Sequence, residues 1–92
     1  MSRKRDRLEI IHDILVVVRD KRETAKQTHI LYKSNLSHQM LTEYMHELIT
    51  KEFMIEKQDK KGRKTYELTD KGFKYLEDYQ LVRSFVDSYG LD

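Results

Sequence analysis

Of the 18 lysines and arginines in this chain, 17 lie before Tyr75, and they are unevenly spread. Arg3, Lys4, Arg5 and Arg7 open the sequence; Lys57, Lys60, Lys61, Arg63 and Lys64 form a second cluster interrupted by a single charge of opposite sign, Asp59. Concentrated positive charge attracts a polyanion, whereas an isolated lysine-rich turn is more often simply solvated. A third group is polar rather than cationic: Ser37, His38, Gln39, Thr42 and His46 offer hydrogen-bonding side chains within ten residues.

Other chemistries find less support. His38 and His46 are eight positions apart, too far for the i, i+4 pair of a helical zinc site, and there is no cysteine to complete one. No metal site and no cofactor are expected. Serine, histidine and carboxylates all occur, but the three scattered glycines build neither a nucleophile elbow nor a phosphate-cradling loop. We expect no catalytic residues and no enzymatic activity.

The 92 residues suffice for one domain, and 38% apolar with 37% charged residues describes a small core under a charged surface. The absence of cysteine excludes a disulfide scaffold, and the absence of proline suits long helices. The longest apolar run, Ile14 to Val18, is far below the ~20 residues of a membrane span. A signal peptide is not expected either, because Glu9, His12 and Asp13 interrupt the stretch after the first basic cluster. A cytosolic protein without a membrane partner is the expectation. The net charge of +2 conceals a division: residues 1–74 carry 17 basic against 12 acidic residues, a balance of +5, whereas 75–92 carry Arg83 against four carboxylates, a balance of −3.

The elements that would position these groups follow from periodicity. Leu8, Ile11, Leu15 and Val18 recur at three- and four-residue spacing and predict a first helix over 5–19, ended by a charged break at 19–24. Thr28 is placed to cap a short second helix, His29 to Ser34, with Ile30 and Leu31 toward the core. Asn35 and Leu36 make a tight turn, and Ser37 caps a third helix reaching about Lys51, whose Leu41, Tyr44, Met45, Leu48 and Ile49 form the buried face. The period then changes to two: Phe53 and Ile55 alternate with Met54 and Glu56, and Tyr66 and Leu68 with Thr65 and Glu67. Between these strands Gly62 supplies the positive φ of a hairpin turn, so the second basic cluster is a hairpin tip. Thr69 caps a last helix of roughly 20 residues, ending near Gly90. Phe73 and Leu76 are expected to pack it on its own domain. Tyr79, Val82, Val86 and Tyr89 continue the stripe beyond what the small domain covers, and Leu81 and Phe85 add a second apolar face to the distal half.

Helix, short helix, tight turn, helix, hairpin, helix is the order of a winged helix-turn-helix, mainly α with a small β-hairpin. Thr28 through Ser37, followed by Tyr44, Leu48, Phe53-Met54-Ile55 and then Tyr66-Glu-Leu-Thr-Asp-Lys-Gly72, resembles the small dimeric winged-helix DNA-binding proteins of archaea and their viruses. The resemblance implies a homodimer joined through its last helix and binding double-stranded DNA. Read with it, the division of charge separates a DNA-binding domain, 1–74, from a dimerising part of the last helix, 75–92. Where that family often closes its recognition helix with Gly or Asn this chain has Glu52, for which a left-handed conformation would cost roughly 1–2 kcal/mol.

On this reading Ser37, His38, Gln39, Thr42 and His46 face base edges in the major groove. Thr28 and Lys33 are candidates for phosphate contact, and Lys60, Lys61, Arg63 and Lys64 lie along phosphates or enter a minor groove. Glu43 and Glu47 weaken attraction to phosphate or accept from cytosine. The first basic cluster is either a backbone-binding arm or a solvated terminus. Tyr79, Val82, Phe85, Val86 and Tyr89 form the dimer interface, setting two recognition helices against an inverted repeat. A transcription regulator is the leading expectation. The alternatives are an architectural protein that coats or bridges duplexes, and a protein-interaction winged helix that does not bind DNA.

Overall fold

The computed structural model describes residues 5–90; Arg3 and Lys4 of the first basic cluster and Asp92 of the acidic end lie outside them. In order, the elements are α1 (Arg7–Lys21), a single 3-10 turn (Arg22–Thr24), α2 (Gln27–Ser34), α3 (His38–Thr50), β1 (Met54–Gln58), β2 (Lys64–Leu68) and α4 (Asp70–Ser88). The two strands are antiparallel, with Met54 opposite Leu68 and Gln58 opposite Lys64. The expected α+β winged-helix order is therefore present.

The core forms where α1, α2, α3 and the hairpin converge. Ile14, Leu15 and Val18 of α1 meet Ile30 of α2, Leu41 and Leu48 of α3, and Met54 of β1, all fully buried. Each helix starts where a side chain satisfies its unpaired amides. Asp6 accepts from Glu9 N–H at 2.8 Å for α1, Ser37 from Met40 N–H at 3.2 Å for α3, and Thr69 from Gly72 N–H at 3.2 Å for α4.

Four expectations need correction. First, α1 is displaced by two residues at both ends, because Asp6 rather than an earlier residue caps it. Second, α2 begins at Gln27, so Thr28 lies inside its first turn and is not the cap. The reason is a β-bridge at Ala25, whose carbonyl accepts from Tyr66 N–H at 2.9 Å and holds the chain extended up to Lys26. His29 Nδ1 then accepts from Lys26 N–H at 3.3 Å.

Third, the alternating apolar pair Phe53 and Ile55 does not line the core as one strand face: Met54 is fully buried and Ile55 is 41% exposed. The chain leaves α3 through Glu52 at φ 65, the left-handed conformation that glycine adopts at lower cost. Phe53 N–H then donates to Leu48 O at 2.8 Å and Phe53 O accepts from Thr69 N–H at 3.2 Å. With its backbone committed to this corner, Phe53 precedes the strand, and the alternation begins at Met54. Fourth, Phe73 does not brace α4 on the domain but stands 49% exposed beside Val18 and Leu68. Gly72 and Leu76 make the close approach instead, and Tyr75 donates its hydroxyl to Leu8 O at 2.8 Å. Burial pushes that hydroxyl up to about 12, so it stays a donor at neutral pH.

The distal half of α4 carries Val82 at 59% and Phe85 at 58% exposure, with Leu81 and Tyr89 also exposed and Val86 half-buried. The described protein is 49 Å along its longest axis against 29 and 21 Å across.

Candidate nucleic-acid interface

Leu41, Met45 and Leu48 turn one side of α3 to the core, so at about 100° per residue Gln39, Glu43, His46 and Thr50 lie on the opposite side. All four are exposed. His38 and Thr42 flank this stripe. The side chains of His38, Gln39, Glu43 and His46 make no hydrogen bond or ion pair among the described residues, so their polar atoms are available to a ligand. Ser37 and Thr42 are partly committed: Ser37 Oγ accepts from Met40 N–H, and Thr42 Oγ1 donates to His38 O at 2.9 Å. Each keeps acceptor capacity.

Glu47 stands apart from Glu43. Its carboxylate receives Lys51 Nζ at 2.7 Å and the Arg7 guanidinium, and these partners, Lys51 first, hold it below the usual glutamate range. Arg7 also lies over the Tyr44 ring, 5.7 Å from its centroid. Arg5 bonds Asp13 at 2.6 Å and Ser34 O at 2.6 Å. The two described arginines of the first basic cluster are thus tied to the domain, a role that neither the arm nor the solvated terminus anticipated.

On α2, Thr28 and Lys33 are both exposed but lie roughly 140° apart around the helix. Tyr32, four residues from Thr28 and 83% exposed, shares the side of Thr28 and presents a hydroxyl there. Sequence reasoning missed Tyr32 and Thr50. Helical spacing from Thr28 and His46 would have found both.

Asp59 builds the hairpin tip. Its carboxylate accepts from Lys61 N–H, Arg63 N–H and Arg63 Nε, each at 2.9 Å, while Gly62 takes φ 78. The backbone hydrogen bond from Arg63 is the largest of the influences that hold Asp59 below its usual range. Arg63 is therefore partly neutralised, and Lys57 pairs with Glu67 at 2.6 Å. Lys60, Lys61 and Lys64 are exposed and have no ion-pair partner among the described residues. They carry the outward charge of the hairpin.

The sequence pattern of the winged helix-turn-helix family matches residues 4–86, nearly the whole chain and every element just described. The chain belongs to the winged helix-turn-helix family. Among solved winged-helix structures, Sso10a-2, a DNA-binding protein from Sulfolobus solfataricus, superposes with a TM-score of 0.73 at 24% identity, covering 94% of this chain and 90% of that one. A MepR mutant from a multidrug-resistant S. aureus clinical isolate gives 0.74 at 15% identity, covering 88% of this chain and 60% of that one. A ZitR mutant from Lactococcus lactis gives 0.71 at 15% identity, covering 98% and 63%. The chain thus spans less than two thirds of the last two. No curated protein matches. In winged-helix terms α2 and α3 form the helix-turn-helix, α3 is the second helix of that pair, and the β1–β2 hairpin is the wing.

Proposed function

We propose that the protein is a homodimeric DNA-binding protein that acts as a transcription regulator, occupying duplex DNA without chemistry of its own. The observation that carries this reading is the exposed side of α3. Gln39, Glu43 and His46 stand there without side-chain partners among the described residues, on the helix that enters the major groove in helix-turn-helix proteins. Gln39 has the amide geometry that pairs bidentately with adenine, and Glu43 accepts from cytosine N4. Ser37, His38 and Thr42 sit toward the N-terminal end, where base contacts concentrate. Thr28 and Lys33, with Tyr32 added, are phosphate contacts from α2, and Lys60, Lys61, Lys64 and Arg63 reach phosphates or a minor groove from the wing.

The second half of the proposal rests on α4. Val82, Phe85 and Tyr89 expose a row of large apolar side chains at helical spacing, more than a small soluble surface leaves uncovered without a use. A two-fold partner packing the same row, with Val86 and the free edge of Tyr79, would bury it. Residues 75–92 then act as the dimerising part, and the two α3 helices address half-sites about 34–36 Å apart. An archaeal or viral, DNA-associated cytoplasmic setting fits the likeness to Sso10a-2, which is described as a DNA-binding protein.

One observation favours a second reading, an architectural protein with little sequence preference. The exposed side of α3 has no lysine or arginine and one carboxylate, Glu43, without an ion-pair partner among the described residues, so the non-specific charge is concentrated on the wing. Selecting duplexes from a random pool, with sedimentation of the protein at tens of micromolar, separates these cases. A selected inverted repeat and a dimer support the regulator. Binding without enrichment supports the architectural protein, and no duplex binding at low salt refutes both.

A further inference from the structure

A chain of contacts runs from the α2–α3 turn to α4 through one carboxylate. Asp13 Oδ2 accepts from Arg5 Nη1 at 2.6 Å, and the other terminal nitrogen of Arg5 donates to Ser34 O at 2.6 Å. Ser34 is the last residue of α2, directly before Asn35, whose φ of 56 turns the chain toward α3. Asp13 Oδ1 faces His12 Nδ1 at 3.2 Å. A carboxylate only accepts, so Nδ1 carries the proton and the His12 ring is held in orientation. That ring stacks on Tyr79 of α4, with centroids 4.3 Å apart and planes at 23°. Tyr79 stacks in turn on Tyr75, whose hydroxyl is anchored on Leu8 O.

We infer that Asp13 is a positioning residue: by holding Arg5 on the end of α2 and His12 on Tyr79, it fixes the angle between α4 and the helix-turn-helix. In the dimer proposed above, on which this inference rests, that angle sets the distance between the two α3 helices. It therefore selects the half-site spacing the protein accepts.

The lever is sensitive. Across the 29 Å width of the molecule a rotation of about 7° moves the far side by roughly 3.4 Å, one base-pair rise. The central ion pair is partly exposed, with Arg5 and Asp13 side chains at 29% and 37%. Removing the link should accordingly loosen the angle without unfolding the domain. Asp13 uses both oxygens, one toward each end of the chain of contacts. Asp20, the other aspartate of α1, pairs only with its neighbour Arg19 among the described residues.

The test compares the full-length protein with Asp13→Asn, His12→Phe and Asp20→Asn on two sets of duplexes. One set carries a single selected half-site, and the other carries inverted repeats whose centre spacing is stepped by one base pair. Asp13→Asn is expected to keep single half-site affinity and thermal midpoint close to wild type. Its preference for the best spacing over one two base pairs away should fall about fivefold. His12→Phe, which keeps a ring on Tyr79 but loses the Asp13 contact, should flatten the profile in the same way, and Asp20→Asn should leave it unchanged. An unchanged spacing profile in Asp13→Asn overturns the inference. So does an equal loss on half-site and inverted repeat, which marks a structural role only. Wild-type protein that shows no preference for inverted repeats over a half-site overturns the dimeric reading itself, and the inference with it.

Discussion

A single methyl group added at Gly72 sets two physical effects against each other. Helix propensity favours alanine over glycine in the first turn of α4 by about 1 kcal/mol. Packing opposes it: a Cβ at position 72 would overlap the Phe53 carbonyl oxygen and approach Leu68 Cδ2 to 3.3 Å. That carbonyl cannot simply retreat. It accepts from Thr69 N–H, and Thr69 Oγ1 donates to Glu52 O at 2.6 Å, so the turn after α3 and the cap of α4 are one bonded unit. Overpacking at such a contact costs about 1–3 kcal/mol, and loosening the Thr69 cap adds about 1 kcal/mol. The net expectation for Gly72→Ala is a loss of about 1–3 kcal/mol. At 4–8 °C per kcal/mol for a chain of this size, Tm falls by roughly 5–20 °C. Thermal unfolding followed by circular dichroism reads this directly. Protein concentration must be held constant, because the Tm of a dimer depends on it. A Tm equal to or above that of the wild type would show that propensity dominates and that α4 does not meet the Phe53 corner as described.

Glu52→Gly, at the same corner, should have the opposite sign. It relieves a left-handed side chain but adds unfolded-state freedom, leaving a gain of up to about 1 kcal/mol in denaturant unfolding. Replacing Lys60, Lys61 and Lys64 together with Gln should weaken duplex binding on every sequence alike, and reduce the slope of log affinity against log salt by about 1 for each lysine that lies on a phosphate. Arg63→Gln should cost less, since Asp59 already holds that guanidinium. Asp59 is depressed below its ordinary 3.8 in the folded protein, so the unfolded chain binds more protons and stability rises with pH through that region. Its contribution is present above about 3.8 and is lost as pH falls through the folded value. Asp59→Asn should therefore flatten the acid limb of a Tm-against-pH profile below pH 4 relative to wild type.

The order of elements was legible because each carries its own period or cap. Ser37 and Thr69 cap α3 and α4 as their positions require, and Gly62 turns the hairpin. What could not be read depended on partners distant in sequence. Thr28 has a better capping side chain than Lys26, yet the bridge from Ala25 to Tyr66 decides where α2 starts. Phe53 and Ile55 alternate as well as Met54 and Glu56 do, and only the left-handed Glu52 and the bonds of Phe53 to α3 and α4 choose between the two faces. At the candidate interface, composition located the polar side of α3 and the basic wing tip. It could not tell Glu43, which has no ion-pair partner among the described residues, from Glu47, which Arg7 and Lys51 occupy. Nor could it show that Arg5 and Arg7 are spent within the domain, because their partners lie 29 and 40 residues away.

The most direct measurement of the central claim is the affinity of the full-length protein for its best selected duplex and for random duplex at one stated salt concentration, repeated with Gln39→Ala. A DNA-reading α3 predicts a selected-to-random ratio of about 10³ or more, falling by roughly 1–3 kcal/mol in the variant while random-duplex affinity and its salt slope stay unchanged. No measurable duplex affinity at low salt, or a wild-type ratio near one that Gln39→Ala leaves untouched, would contradict it.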